Sequence, residues 1–344
     1  MKKLLSICLF LLLSMMSWAD SSGICGKNML WTYDESSKTL TISGTGDMSD
    51  FASFYPWSPF DAKIKKIVID EGVVSIGPYA FCSFDSLSSV TIPSSIKRIG
   101  EGAFHSCNYL TSVNISNIAA WCNIDFKDFA SNPLYLAFHI YLNGEEIREL
   151  VIPDGVTKIG DSAFAFCDGL TSVSIPNSVT SIGIASFADC YSLTSVSIPN
   201  SVTNIGQFAF QFCDSLEFVK VFGDIPPSAY DDSFSNYEIN LCVPEKSIER
   251  YKTTYPWNKF TNIVGMESTD IESVKMLPYT VSISDGTITV IGAQNGVVVE
   301  AYNAFGFKLG AATSVMGCAT INTNMRSNDF VIVKVGSKTI KIKY

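Results

Sequence analysis

The sequence predicts a repeat solenoid of short strands and tight turns, followed by a small β-sandwich. Three observations support this fold class. The stretch TSVSIPNSVTSIG at 171–183 returns 23 residues later as TSVSIPNSVTNIG at 194–206. Aromatic segments flank the repeats at 54–60 and 251–260. Residues 280–344 then change to short β-like runs separated by turn residues, which is typical of a small all-β domain.

The first 19 residues have the pattern of a secretory signal peptide. A basic start, MKK, precedes the apolar run Leu4–Leu13, and the small residue Ala19 follows. The run is shorter than the ~20 apolar residues that span a bilayer. We therefore expect cleavage after Ala19, a mature chain that is secreted or held at the cell surface, and no transmembrane segment.

Composition argues against two classes of protein. The 344-residue chain has a formal net charge of −9, and loss of Lys2 and Lys3 with the leader makes the mature chain more acidic. Nucleic-acid binding needs clustered Lys and Arg, so we expect no nucleic-acid partner. With 47% hydrophobic and 17% charged residues, the chain can bury a large core and is not typical of disordered proteins.

The repeat units share the consensus x-L-x-x-V-x-I-P-x-x-V-x-x-I-G-x-x-A-F-x-x-C-x over about 63–221. The alternation of Val196 and Ile198 indicates a short strand, which Pro199 ends. Ile205 and Gly206 bring the chain back to the core at a tight corner. A period of this length with this Leu and Ile spacing is typical of leucine-rich repeats. The units begin at Lys63, Ser86, Tyr109, Glu146, Gly169, Ser192 and Ser215.

The segment FAFQFC forms the back of one unit. Phe210 and Cys213 are three residues apart, as one helical or 3-10 turn would place them, so we predict an α+β leucine-rich repeat solenoid with helical or 3-10 turns. One unit exposes apolar edges on both sides, so several units must stack to be stable. The repetition is therefore explained by structure and does not itself indicate a function.

The segment LTSVSIPNSVTSIGIASFADC resembles the BspA-like leucine-rich repeat family of surface proteins, and the resemblance covers about 63–221. The interruption at about 116–145 is similar to an insertion in such proteins from Bacteroidetes. The third unit departs from the consensus after Ile115, so we expect one lengthened coil before the pattern resumes at Glu146. The resemblance implies a non-enzymatic protein that binds proteins such as host matrix or other cell-surface proteins.

The ends of the solenoid need caps, because they expose apolar coil faces. At 20–62 we predict a capping hairpin, in which Trp31 and Tyr33 alternate on one strand and Leu40 and Ile42 on the other, followed by FYPWSPF. At 222–265 we predict a second cap that contains YKTTYPWNKF. The cap aromatics are interpreted either as buried lids or as a stacking site for sugars. The second interpretation gives an alternative function, a carbohydrate-binding accessory protein.

After a polar linker at 266–279, we read residues 280–344 as a β-sandwich. The stretches VVVEAYNAFGFKL and DFVIVKV are similar to C-terminal sorting domains of the type IX secretion system. Asn328 and Asp329 stand before Phe330, where the sorting domains carry a Gly. An ordinary immunoglobulin-like module stays open as the alternative.

Motifs for catalysis or for cofactor binding are lacking in the sequence. The two histidines, His105 and His139, fall in different coils, and no zinc-protease, nucleophile-elbow or phosphate-loop pattern occurs. We therefore expect no enzymatic activity, no cofactor and no metal.

Nine cysteines remain after removal of the leader, and Cys167, Cys190 and Cys213 recur at the repeat period, with Cys107 in an earlier unit. Adjacent coils at strand spacing would place them about 5 Å apart. Buried thiols, a disulfide or a metal site would all suit that distance. Phe84 occupies the equivalent position of the first unit, which favours buried thiols.

The candidate binding surface is the outward, concave face of the strand row. Short polar side chains repeat there, and Lys66 and Glu149 are the charged exceptions. Concave solenoid faces commonly bind partners, although such a strip can also be only a solvated surface. We expect protein ligands, with glycans as a further possibility. The predicted binding residues are Ser89, Thr91, Ser112, Asn114, Ser172, Ser174, Ser195 and Ser197.

Overall fold

The computed structural model describes residues 21–51, 54–266 and 280–343, apart from 285, 292–294, 304–305, 307, 316–317, 324–329 and 337. The predicted leader, nearly all of the predicted linker, and Asn328 with Asp329 lie outside the described residues. The chain divides after Met266 into two compact units. In the described part of the chain, no helix is long and apolar enough to cross a membrane.

The first unit is the predicted leucine-rich repeat solenoid, made mostly of short strands. Residues 23 apart pair in register, as Val173 does with Val196. The strands are β1 (Ser21–Gly26), β2 (Met29–Asp34), β3 (Thr39–Gly44), β4 (Gly46–Asp47), β5 (Lys66–Ile69), β6 (Val73–Ile76), β7 (Ser89–Ile92), β8 (Arg98–Ile99), β9 (Ser112–Ile115), β10 (Asp125–Phe126), β11 (Ile140–Leu142), β12 (Glu145–Glu146), β13 (Glu149–Val151), β14 (Lys158–Ile159), β15 (Ser172–Ser174), β16 (Ser181–Ile182), β17 (Ser195–Ile198), β18 (Asn204–Ile205), β19 (Phe218–Val221), β20 (Asn240–Pro244) and β21 (Asn262–Met266). The helices are α1 (Ile118–Trp121), α2 (Leu134–Ala137) and α3 (Ile248–Thr253), with 3-10 helices at Ser58–Phe60, Phe129–Ser131, Glu245–Ser247 and Trp257–Lys259.

The first strands of the coils form a row that divides into two sheets. One sheet has the order β1-β2-β3-β5-β7-β9-β11-β12, and the other has the order β13-β15-β17-β19-β20-β21. The second strands of the coils divide at the same place, into β10-β8-β6-β4 and β14-β16-β18. The solenoid therefore consists of an N-terminal stack and a C-terminal stack, which meet at the insertion.

The insertion does more than lengthen one coil, which corrects the sequence prediction. Its β10 pairs with β8 and completes the third coil, and its β11 pairs in parallel with β9. β12 then folds back antiparallel on β11 and ends that sheet. The added strand forms because Ile140 is buried in register with Val113, so HIYL supplies the strand alternation that the consensus lacks there.

The back wall of the coils consists of single turns rather than helices. For example, the Gln211 amide donates to the Phe208 carbonyl and closes one such turn. Phe208 and Phe212 have φ angles of 59° and 58°, and residues in this left-handed region end a helix after one turn. Single turns of this kind agree with the predicted helical or 3-10 turns, and at the positions equivalent to Phe210 and Cys213 the Cys107 amide donates to the Phe104 carbonyl at 3.3 Å.

Aromatic rings stack through the core at the repeat period. The rings of Phe164, Phe187 and Phe210 are nearly parallel, with centroids 5.5 and 5.4 Å apart and interplanar angles of 8° and 3°. Phe234 continues the stack at 5.2 Å from Phe210. All four side chains are at most 3% exposed, so each coil buries its aromatic ring against the next coil.

In each stack, one tryptophan covers the first coil. Within a stack, a back-wall amide donates to a carbonyl of the following coil, as the Phe81 amide does to Ala103. The carbonyls of Ala80 and Ala163 occupy this position in the first coil of their stacks. The Trp57 indole N–H donates to Ala80 at 2.9 Å, and the Trp121 indole N–H donates to Ala163 at 2.6 Å. Trp121 therefore begins the C-terminal stack as Trp57 begins the N-terminal stack.

The cap aromatics are mainly buried lids. Trp57 and Trp257 are 0% exposed, and Trp257 donates its indole N–H to the Pro227 carbonyl at 2.8 Å. Tyr255 alone of the segment YPW at 255–257 is well exposed, at 64%. Neither buried tryptophan can stack on a sugar, so the sugar interpretation of these residues is not supported.

Ser186 provides a test of the coil register. It is fully buried, and its hydroxyl has no hydrogen-bond partner among the described residues. The equivalent residues of the adjacent coils are Ala163 and Ala209, both 0% exposed. Because an unpaired buried hydroxyl is costly, Ser186→Ala should raise the free energy of unfolding by about 1 kcal/mol in urea titration.

The matched control is Ser233→Ala, which should lower the free energy of unfolding. The Ser233 hydroxyl donates to the Gly206 carbonyl at 2.9 Å and accepts from the Tyr230 amide at 2.9 Å. If Ser186→Ala also destabilised the protein, the equivalence of position 186 with the two alanine positions would be wrong.

The cysteine column is a column of buried thiols. The thiols of Cys190 and Cys213 donate to the carbonyls of Phe164 and Phe187 at 3.2 and 3.1 Å. Burial raises the pKa of Cys167 and Cys213 to about 12, and it raises the pKa of Cys190 well above its ordinary value. These cysteines are therefore protonated at neutral pH and act as small core residues.

We expect the four column cysteines to resist iodoacetamide in the native protein and to react fully after denaturation without reductant. Cys318 is exposed, so it should react in the native state and serves as the internal control. Mass spectrometry reads both states. A native Cys167–Cys190 or Cys190–Cys213 bridge would contradict the assignment. The four cysteines are Cys107, Cys167, Cys190 and Cys213.

The second unit is an antiparallel β-sandwich, as predicted. Its strands are β22 (Thr280–Ser284), β23 (Thr287–Ile291), β24 (Val298–Asn303), β25 (Lys308–Thr313), β26 (Cys318–Asn322), β27 (Phe330–Val335) and β28 (Lys338–Lys343). They form the sheets β22-β23-β26 and β25-β24-β27-β28. Both sheets contribute to one buried cluster, with Ile288 and Ile321 from the first and Val299 and Val333 from the second.

Candidate functional site

The predicted binding residues lie on the outward side of the strand row, which we call the strand-row face. Their neighbours in the strands, such as Val90 and Val173, are 0% exposed and point into the core. Ser174 is exposed, whereas Ser195 is only 6% exposed, so Ser195 contributes little accessible surface to this face. The half-buried residues are Ser89, Thr91, Ser112, Asn114, Ser172 and Ser197.

The structure brings these residues together in two patches rather than in one strip. Each patch contains two register pairs, and the division of the strand row at β11 and β12 separates the patches. The first patch consists of the pairs Ser89–Ser112 and Thr91–Asn114, and the second patch consists of the pairs Ser172–Ser195 and Ser174–Ser197.

A charged residue lies beside each patch. Lys66 of β5 pairs in register with Ser89, and Glu149 of β13 pairs with Ser172. β13 also contributes Val151, whose side chain is 61% exposed. Each patch is thus a floor of short side chains with a longer side chain at its border.

The far border of the second patch holds two residues that the sequence analysis missed. Phe218 pairs with Ser195, and Lys220 pairs with Ser197. The Lys220 amine lies 5.5 Å from the Phe218 ring centroid. Lys220 is 8% exposed, and burial lowers the pKa of its amine. Phe218 beside Ser195 also accounts for the low exposure of that serine.

The signal for these two residues was present in the repeat. LEFVKV at 216–221 follows LTSVSI at 193–198 by 23 residues, so Phe218 and Lys220 occupy the places of Ser195 and Ser197. The unit that begins at Ser215 is the last one in the consensus range, and its strand β19 continues the same face.

His105 and His139 each lie beside one other side chain that can ionise. His105 Nδ1 lies 3.9 Å from the Cys82 sulfur, and His139 Nδ1 lies 2.7 Å from the Glu146 carboxylate. Partial burial opposes ionisation of Glu146, but hydrogen bonds from His139 and Arg148 outweigh it and lower the pKa of the carboxyl. Across the described residues, no group of three or more His, Cys, Asp or Glu side chains is placed to hold a metal ion.

The repeats match a known family. The model of the BspA type leucine rich repeat region matches residues 60–133 and 135–259, in six copies. The chain belongs to the BspA-type leucine-rich repeat family. The matched residues include both patches of this BspA-type protein, and they end before the β-sandwich.

Several solved structures are similar to this BspA-type chain. A leucine rich cell surface protein from Faecalibacterium prausnitzii is 18% identical, with coverage of 73% of this chain and 96% of that chain and a TM-score of 0.30. A leucine-rich repeat protein from Bacteroides ovatus is 19% identical, with coverage of 72% and 79% and a TM-score of 0.30. The pneumococcal vaccine antigen PcpA is 15% identical, with coverage of 73% and 100% and a TM-score of 0.31. The comparison with curated proteins gave no match.

Proposed function

We propose that this BspA-type protein is an exported, non-enzymatic protein that binds other proteins through the strand-row face. The observation that carries the proposal is the second patch, in which two serine pairs lie between Val151 and the Phe218–Lys220 pair. Membership of a leucine-rich repeat surface-protein family supports an interaction role at or outside the cell surface.

The chemistry of the patches suits a protein partner. Serine and threonine lose little side-chain entropy when a partner covers them, and their short side chains let a partner approach the strands closely. Phe218 supplies a partly exposed aromatic ring beside the serines, a residue type that often anchors interfaces, and the largely buried Lys220 lies near that ring. Two patches on one chain can also bind one extended partner with increased avidity.

The proposal extends to delivery. The leader at 1–19 would direct export, and the β-sandwich, which resembles a type IX sorting domain, would direct surface delivery. Deletion of residues 280–344 in the native host should then leave the protein inside the cell envelope. Delivery is measured by immunoblot of the medium and surface fractions. If delivery is unchanged, the β-sandwich is not a sorting domain, and the immunoglobulin-like module is the better interpretation.

The binding experiment uses the mature chain against immobilised collagen, fibronectin, laminin and fibrinogen, beside a glycan array. We expect at least one protein to bind, and Ser174→Arg with Ser197→Arg to weaken that binding by about tenfold or more, since two bulky cations cover the second patch. The melting temperature should change little, because both side chains are on the outward face.

The matched control is Ser181→Arg with Asn204→Arg, on β16 and β18. Both residues border a shallow groove on the second-strand row, away from the strand-row face. A control that abolished binding while the patch variant bound normally would place the site on that groove. Binding to glycans alone would favour the carbohydrate-binding alternative.

A further inference from the structure

A shallow, open depression of about 900 Å³ lies where the first three coils begin. Its spine is a column of equivalent residues, in which the Ser88 amide donates to the Lys65 carbonyl at 2.9 Å and the Thr111 amide donates to the Ser88 carbonyl at 3.0 Å. Strands about 4.8 Å apart make this column about 10 Å long. We call the depression the polar dish, which consists of the column and the equivalent pairs Asp85–Asn108 and Ser86–Tyr109.

The hydroxyl groups of the dish are committed as donors to the main chain. The Ser86 hydroxyl donates to the Ala62 carbonyl at 2.7 Å. The Ser88 hydroxyl donates to the Lys65 carbonyl at 3.0 Å, and the Thr111 hydroxyl donates to the Ser88 carbonyl at 3.2 Å. A hydroxyl has one hydrogen and two lone pairs, so these three oxygens can still accept hydrogen bonds from a ligand.

Asp85 and Asn108 add further acceptors to the dish. Both are exposed, and neither side chain makes a hydrogen bond or an ion pair with another described residue. An ionised Asp only accepts, whereas Asn accepts through its carbonyl and donates through its amide. Lys65 is the one cation among the lining residues, and its charge balances that of Asp85. The dish is therefore formally neutral and has more acceptor than donor capacity.

The Tyr109 ring is the one aromatic group of the dish. It is 66% exposed, and it makes no ring contact or hydrogen bond with the other described residues. The other six units begin with Lys63, Ser86, Glu146, Gly169, Ser192 and Ser215, so the repeat does not require an aromatic residue at this position. An accessible ring thus lies beside a set of hydrogen-bond acceptors.

We propose that the polar dish binds a sugar ring of a neutral glycan. A sugar ring has an apolar C–H face and a rim of hydroxyl groups. The C–H face stacks on the Tyr109 ring, since an aromatic face is an apolar surface of matching flatness. The hydroxyl groups donate to the Asp85 carboxylate, to the Asn108 carbonyl and to the serine and threonine oxygens. A ligand rich in O–H donors is what an acceptor-rich site requires.

The same groups argue against other ligand classes. An anionic ligand would meet the Asp85 carboxylate and lone pairs on the hydroxyl oxygens, with only Lys65 to offset them. A lipid needs an apolar cavity, whereas the dish is open and has one ring. A peptide cannot add as a strand along the column, because the Ser88 and Thr111 amides are already paired with the preceding coil.

This inference goes beyond the proposed function, because it assigns a different class of ligand to different residues. The dish borders the first patch, since Ser88 precedes Ser89 and Thr111 precedes Ser112 in the chain. It also differs from the sugar interpretation of the cap aromatics. That interpretation failed because the cap tryptophans are buried, whereas Tyr109 is accessible.

The test is a saturation-transfer NMR titration of the mature chain with neutral hexasaccharides of glucose, mannose, galactose and xylose, and with oligogalacturonate as the anionic probe. We expect at least one neutral hexasaccharide to bind with a Kd of about 1 mM, since one ring and a few exposed acceptors form a weak site. Tyr109→Ala should weaken this binding about tenfold or more, and Tyr109→Phe should keep it within about twofold. The melting temperature should change little, because Tyr109 is exposed.

The matched control is Tyr191→Ala in the other stack. Tyr191 is 44% exposed, but its hydroxyl donates to Asp189 at 2.9 Å, so this variant should bind the sugar as the unmodified chain does. Failure of every neutral hexasaccharide to bind would overturn the proposal. So would tighter binding of oligogalacturonate, binding that persisted in Tyr109→Ala, or an equal loss in Tyr191→Ala. Ser174→Arg with Ser197→Arg should leave sugar binding unchanged, so this test and that of the strand-row face can fail separately.

Discussion

Deletion of residues 169–191, one whole coil, should leave a folded protein that unfolds cooperatively. The coils on either side present equivalent surfaces, because Phe164 and Phe210 occupy the same place in the aromatic stack. The Thr194 hydroxyl, which now donates to the Thr171 carbonyl at 3.1 Å, would meet the equivalent carbonyl of Arg148. The free energy of unfolding should fall, because one coil-to-coil interface is lost. The dependence of that free energy on denaturant concentration should also be weaker, since less surface is buried.

Deletion of only 169–180 should abolish cooperative folding. This deletion removes β15 and retains β16, so the strand row and the second-strand row would shift against each other. A slip in register would move apolar residues to the solvent side. Circular dichroism and urea titration compare the folded content and the cooperativity of unfolding of the two deletion proteins. Equal stability of the two deletion proteins would show that the proposed coil boundaries are wrong.

Replacement of Trp121 should destabilise the C-terminal stack more than the N-terminal stack. Trp121 is 1% exposed and donates its indole N–H to Ala163 across 42 residues of sequence. Trp121→Ala should cost about 3–5 kcal/mol through loss of buried ring volume. Trp121→Phe keeps a ring but leaves the Ala163 carbonyl without its donor, which costs about 1–3 kcal/mol.

The readout is hydrogen exchange by mass spectrometry on peptides from each stack. Peptides near 160–190 should lose protection in the Trp121 variants, whereas peptides near 66–92 should keep it longer. Trp57→Phe is the matched control, because Trp57 donates to Ala80 at the start of the other stack and should reverse the pattern. Equal loss of protection in both stacks would contradict the division of the solenoid at the insertion.

The repeat period predicted much of the fold because it determines which residues stack. Val173 and Val196 are 23 residues apart in the sequence and pair in the structure, and the same interval stacks Phe187 on Phe210. The hairpin was predictable for a different reason. The alternation at Trp31 and Tyr33 is a local strand signal, which does not depend on the repeat.

The features that the sequence did not predict arise where the chain departs from its consensus. Trp121 replaces a repeat residue, and its partner Ala163 is identified only once the second stack is in place. The burial of Ser195 depends on Phe218 in the next coil rather than on its own unit. The left-handed conformation of Phe208 is likewise a property of the back-wall turns, which the residue type argues against.

The central claim is that residues one repeat apart lie side by side on the strand-row face. The most direct test is a double variant, Ser174→Cys with Ser197→Cys, treated in the native state with dibromobimane, which fluoresces when it links two nearby thiols. Adjacent strands are about 4.8 Å apart, within reach of this reagent. The partly or fully accessible natural cysteines Cys82, Cys242 and Cys318 are replaced by serine beforehand.

We predict a fluorescent link between positions 174 and 197, which register-paired residues of β15 and β17 should form readily. Ser174→Cys with Asn204→Cys, where the second residue lies on β18 of the second-strand row, should give no link. A link in the control pair, or its absence in the 174–197 pair of a folded variant, would contradict the coil register on which the serine patches and their proposed function depend.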